Sequence, residues 1–235
     1  MLEIPVHITI TFILTTLFCF VMFTFSSLFS YDKKTQQRSI IVALLSLLWL
    51  IFQSTLSLNR WYMDRTVVPP HMAFPVITCT IVIVLLFAIP GLRYWTDRTS
   101  LRILTWLHIV RLPVEICLYW LALERQLPWS MTFHGYNFDI AFGITAPIVA
   151  LMYFQWKKLS QKIFIVWNIL GIISVMAVVI RGVGALPSPI QWWDFTQPNY
   201  AVMHFPFIWL PAFVVPVVIF AHFVAIRRTI KQLPV

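Results

Sequence analysis

The chain has 235 residues, of which 60% are hydrophobic and only 11% charged, whereas a soluble domain carries about 25% charged residues. Its net charge is +9, yet the basic residues flank apolar runs and form no water-exposed basic face, which excludes a nucleic-acid-binding domain. Spans of roughly 20 residues with short connections consume the whole length, so a separate soluble domain is excluded and a polytopic membrane protein is expected.

In chain order, apolar runs predict seven transmembrane helices near 6–29, 39–58, 73–92, 104–123, 138–156, 163–182 and 205–226. The runs are continuously apolar, which fits helices and not the alternating ten-residue segments of a barrel. No basic region precedes the first run, so it is expected to stay as a helix and not to be a cleaved leader. Cys19, Cys79 and Cys117 all fall inside spans, where they act as small hydrophobes.

Twelve basic residues gather on one side of these spans (Lys33, Lys34, Arg38, Arg93, Arg98, Arg102, Lys157, Lys158, Lys162, Arg227, Arg228 and Lys231). Four gather on the other: Arg60, Arg65, Arg125 and Arg181. The asymmetry predicts an N-terminus outside and a C-terminus in the cytoplasm. Residues 184–204, rich in proline and tryptophan, form the longest connection and are expected to lie as an ordered lid across the outer mouth.

The fourth span carries the main functional lead. Arg111 and Glu115 sit four residues apart in mid-span, where an ionisable group is retained only with a partner or a role. At about 100° per residue, His108, Arg111, Glu115 and Tyr119 share an arc of roughly 80°. Pro113 lies among them and frees a carbonyl one turn back as an extra acceptor. Asn137 and Asp139 open the fifth span from the outer side and are expected to form the mouth of a polar cavity with this stripe; Gln53, Thr145 and Asn168 are further intramembrane polar groups that can meet it.

Two alternatives accompany the cavity. One is a structural Arg111–Glu115 pair that only holds the helix in register, as in a sensor or assembly subunit. The other is an intramembrane enzyme acting on a lipid or isoprenoid, with Glu115 or Asp139 as general acid or base and Arg111 on the head group. No cofactor is expected. His108 and His222 at equal depth leave axial haem ligation as a minor alternative, and His7, His71, His134 and His204 leave the same opening for an outer metal. No Schiff-base lysine lies in the last span and no nucleotide or hydrolase motif is present. The expected partners are membrane lipid and a small molecule or ion.

Arg111-Leu-Pro-Val-Glu115, the stretch from Met131 to Pro147 and Phe205-Pro-Phe-Ile-Trp-Leu-Pro211 resemble an uncharacterised family of bacterial seven-helix inner-membrane proteins. The resemblance implies that location and span number, and it carries no activity or site residue.

Overall fold

The computed structural model describes residues 4–28 and 32–233, all-α with no strand among them. The helices are α1 (Val6–Leu28), α2 (Lys33–Leu58), α3 (Ala73–Ala88), α4 (Pro90–Thr96), α5 (Leu101–Leu107), α6 (Arg111–Leu123), α7 (Asp139–Ala150), α8 (Gln161–Gly184) and α9 (Val215–Ile230). Position 29, the expected end of the first span, lies outside the described residues.

Five helical stretches are long and apolar enough to cross a membrane, or six if the bent pair α3 and α4 counts as one span. The fifth expected span is shorter: α7 runs on through a π-helical turn, Leu151–Gln155, and falls below that length. The expected seventh begins later than position 205. Proline at 206 and 211 keeps regular α-helix from starting there, and a π-helical segment, Leu210–Val214, leads into α9.

Local chemistry sets the boundaries. Asp32 caps α2 by accepting from the backbone N–H groups of Lys34 and Thr35, and Ser100 and Ser160 cap α5 and α8 in the same way. Between α3 and α4 the axis turns by 93°. Pro90 cannot donate to the preceding turn and drives Ile89 into an extended conformation, then starts α4 at its first position. Pro216 likewise leaves the Ala212 carbonyl without its helical donor. The Trp49 indole N–H (2.8 Å) and the Cys79 thiol (3.1 Å) supply donors in its place. Within α1 the threonine hydroxyls bond back to their own helix, Thr15 to Thr11 O at 2.7 Å and Thr16 to Phe12 O at 3.0 Å.

The stretches Leu101–Leu123 and Leu210–Ile230 are central, with 56% and 61% of their apolar windows buried, against 17% for α2. Helix α1 packs on α2, α5 and α6; α7 on α5 and α6; and α8 on α9. One end of the bundle is laced by Arg227, which grips Asp97 with two bonds of 2.7 and 3.0 Å, and by Arg98 and Tyr94 at Asp32. At the opposite end the 184–204 segment is pinned to α6 and α8. Gln197 donates to Ala122 O and Leu127 O, Asn199 N to Ala185 O, and the Trp193 indole to Arg181 O.

A buried guanidinium with two carboxylates

The expected fourth span is interrupted. Pro113 lacks an N–H and crowds the carbonyl of Ile109, so the turn His108–Val110 tightens to 3-10 geometry between α5 and α6. Arg111 follows directly, its N–H bonded to the His108 carbonyl. Its side chain leaves the helix towards α7 and α8. There the guanidinium donates from Nη2 to the Gly171 carbonyl at 3.1 Å, lies 5.1 Å over the Phe142 ring, and brings Nε to 3.5 Å from Asp139 Oδ2.

The ion pair is therefore Arg111 with Asp139, and the expected pair with Glu115 does not form: within 4.0 Å Arg111 meets only Asp139 among the described carboxylates. The packing of α7 explains the switch. Gly143 sits so close to α6 that a Cβ there would lie 2.9 Å from the Leu112 backbone nitrogen and 3.3 Å from Arg111 Cβ. That approach delivers the first turn of α7, with Asp139 as its first residue, to the guanidinium. The carbonyl that accepts from the guanidinium is that of Gly171 on α8, not the one freed by Pro113.

Glu115 is held by a different hand. Asn137 Nδ2 donates to Glu115 Oε1 at 2.6 Å and to Met131 O at 2.9 Å, while its Oδ1 accepts from Asp139 N at 2.9 Å. Asp139 Oδ1 accepts from Ser174 at 2.5 Å. The Asn137 amide thus ties the Glu115 carboxylate to the backbone of Asp139, whose own carboxylate meets Ser174 and Arg111, in a network spanning α6, α7 and α8.

This cluster is closed. Glu115, Arg111, Asn137 and Asp139 are 1%, 3%, 3% and 6% exposed, so the expected mouth at Asn137 and Asp139 is covered, with Asn137 tied back to the Met131 carbonyl by the segment before α7. Two apolar cavities in the bundle are lined by other residues and include none of Arg111, Glu115 or Asp139. Tyr119 leaves the polar stripe as well. Its ring packs against Phe133 and His134, at 5.2 and 5.1 Å, in a three-ring cluster, and meets the edge of Trp129. Gln53 is also elsewhere, accepting from Tyr62, and Thr145 accepts from the Trp167 indole at 3.0 Å.

His108, at the start of the stripe, stacks on His222 of α9 with ring centroids 4.0 Å apart and planes 21° from parallel. Trp167 packs against both. Asn168 donates to Phe164 O and accepts from His222 Nδ1 at 2.9 Å, which makes that nitrogen the protonated one. Gly171 provides the floor, since a Cβ there would fall 2.3 Å from His222 Cε1. Equal depth was the only basis for haem, and the geometry corrects it: rings stacked face to face do not aim two nitrogen lone pairs at one iron between them. The outer histidines are dispersed. His71 stacks on Trp61, His7 meets Trp120, His134 joins Tyr119, and His204 bonds Tyr200 O. Among the described residues no group of three or more His, Cys, Asp or Glu is arranged to hold a metal.

Several buried polar atoms here have no hydrogen-bond partner: Arg111 Nε and Nη1, Glu115 Oε2, His108 Nδ1 and His222 Nε2. Two carboxylates face one guanidinium, which leaves the network one positive charge short of neutrality when both are ionised. Sequence reasoning missed Gly171, Ser174, Phe142 and Trp167. Asn168, Gly171 and Ser174 recur every three residues on α8, a small and polar face that periodicity alone would reveal.

A family model described as a domain of unknown function (DUF8737) matches residues 67–230. No curated protein and no solved structure matches the chain.

Proposed function

Because the chain belongs to the family of this domain of unknown function, whose description names no activity, we propose its function from the buried network: an integral membrane protein that binds and exchanges a proton at Glu115 within the bilayer. In this reading the protein crosses a bacterial inner membrane seven times, with its N-terminus outside. The five long apolar helices, the bent α3–α4 pair and the shorter apolar helix Asp139–Gln155 supply seven passes, the last at the lower limit of about 17 residues for a span. The twelve-to-four asymmetry of basic residues supports the orientation.

The observation that carries the proposal is the charge count, two carboxylates and one guanidinium, all less than a tenth exposed. A net charge in a low-dielectric interior is costly, and the smallest group that restores neutrality is a proton. Glu115 Oε2, the carboxylate oxygen without a partner, is where that proton is gained and lost. The closed packing favours a proton over a larger ligand, and any movement of a small molecule would be coupled to opening this network.

The test is infrared difference spectroscopy of the purified protein, together with proton uptake by proteoliposomes containing a pH-sensitive dye. A protonated carboxyl band that disappears in Glu115→Gln, with loss of proton exchange in the same variant, is expected. An unchanged band and unchanged exchange in a folded Glu115→Gln protein would overturn the proposal. The burial itself also favours a second reading, a purely structural clamp. On that reading Glu115→Gln changes neither spectrum nor exchange, while Arg111→Met still destabilises.

A further inference from the structure

Helices α2 and α3 meet near the outer end, where Phe74 packs against Trp49 and Phe52 with centroids 5.7 and 6.3 Å apart. Towards the other end they separate. Between them lies a cleft of about 760 Å³, within the roughly 300–1,000 Å³ of small-molecule sites. Its floor is α9 with the π-helical segment before it, contributing Phe213, Val217 and Phe220, and its base is α4, which turns across the end of the cleft after the 93° break. Its sides are apolar and open laterally, since Leu45 is 60% and Val82 49% exposed.

The base has a different character. Arg38 lines the cleft and donates to the Gly91 carbonyl. Beside it, Tyr94 is approached on its ring by three cations: Arg98 at 3.4 Å, Arg38 at 5.7 Å and Lys34 at 5.8 Å. One carboxylate answers them, Asp32, which accepts from Tyr94 and lies 3.9 Å from Arg98. Three cations against one anion leave a surplus of two positive charges where the apolar cleft ends.

We propose that this cleft binds one phospholipid with an anionic head group, an acyl chain lying along α9 between α2 and α3 and the phosphate held by Lys34, Arg38 and Arg98 around Tyr94. The lateral opening selects a ligand that arrives from the bilayer, and the paired apolar and cationic ends select an amphiphile of negative charge. Arg38 uses one donor on Gly91, and a guanidinium has five, so a phosphate oxygen can be added without breaking that bond. The proposal rests on the reading of the chain as a membrane protein and is independent of the proton at Glu115.

Native mass spectrometry of the full chain in detergent tests it, with phosphatidylglycerol and phosphatidylcholine of identical chains as probes. One retained phosphatidylglycerol per protein is expected. Each removed cation should weaken it about fivefold, so that the Lys34→Gln, Arg38→Gln double variant loses about twenty-fivefold. Ser46→Trp, which places an indole in the cleft, should abolish retention of either lipid while elution and melting stay as in the wild type. Equal retention of the two lipids, retention undiminished in Ser46→Trp, displacement by a free fatty acid, or a protein dimer in place of the lipid adduct would each overturn it.

Discussion

Replacing Arg111 with methionine tests the partner assignment at the centre of the molecule. At 3.5 Å between Arg111 Nε and Asp139 Oδ2, the Coulomb attraction is about 5 kcal/mol at an effective dielectric of about 20. Both groups are less than a tenth exposed, so the Met variant leaves a carboxylate in an apolar setting, a loss that costs about 3–5 kcal/mol in buried pairs. The Gly171 carbonyl also loses its donor. Neutralising the stranded partner should then restore stability. Arg111→Met with Asp139→Asn is expected to recover most of the deficit, whereas Arg111→Met with Glu115→Gln should recover much less, because Asp139 keeps its uncompensated charge. The assay is unfolding in mixed detergent micelles followed by tryptophan fluorescence. The reasoning fails if Arg111→Met lies within about 1 kcal/mol of wild type, or if Glu115→Gln rescues where Asp139→Asn does not.

Other consequences follow from close packing and capping. Gly171→Ala puts a methyl carbon within 2.5 Å of His222 Nε2, and such overpacking costs about 1–3 kcal/mol; a melting-point drop with loss of the His222–Asn168 bond in histidine NMR spectra is expected. Gly143→Ala meets the Leu112 backbone, which cannot rotate away, so a similar penalty should appear and Arg111 should move from Asp139, visible as non-additivity with Asp139→Asn. Pro113→Ala returns a donor to the helix and should convert the 3-10 turn at residues 108–110 to α-helix, separating the two imidazoles; a structure or distance measurement showing the stack unchanged would refute that cause. The Asp32 carboxyl is held below its ordinary range, chiefly by the Thr35 hydroxyl and then by Tyr94 and the first backbone N–H groups of α2. Its capping is fully present above the unfolded carboxylate pKa near 4 and is lost as pH falls through the lower folded value; protection of the Lys34 and Thr35 amides, taken relative to the intrinsic exchange rate at each pH, should fall over that window and stay constant there in Asp32→Ala.

Much of the helical layout was legible because apolar runs, prolines and basic flanks act locally. The caps at Asp32, Ser100 and Ser160 need only nearby residues, whereas the single span expected over 73–92 is broken at Pro90. That Arg111 and Glu115 form a polar centre in an apolar run was legible for a similar reason, since a charge there is conspicuous at any fold, and both are buried. Its partner was not, because an i, i+4 pair on one helix competes with groups delivered by other helices, and Gly143 decides that competition through a contact between α6 and α7. Tyr119 illustrates the reverse failure: it shares the helical face of Glu115, yet its ring is claimed by Trp129, Phe133 and His134, which lie on a segment without periodicity. The equal depth of His108 and His222 was visible, but their stacking depends on Gly171 of a third helix.

The carbonyl stranded by Pro216 has a mechanical consequence for the cleft. Ala212 O receives Trp49 from α2 and Cys79 from α3, so both walls are fastened by one shared rivet to the π-helical segment that leads into α9. Neither wall can swing outward there without loading the other onto the same oxygen, and the thiol is the weaker of the two fasteners. Widening is thereby confined to the stretch between this rivet and α4, and α3 is the wall that yields first.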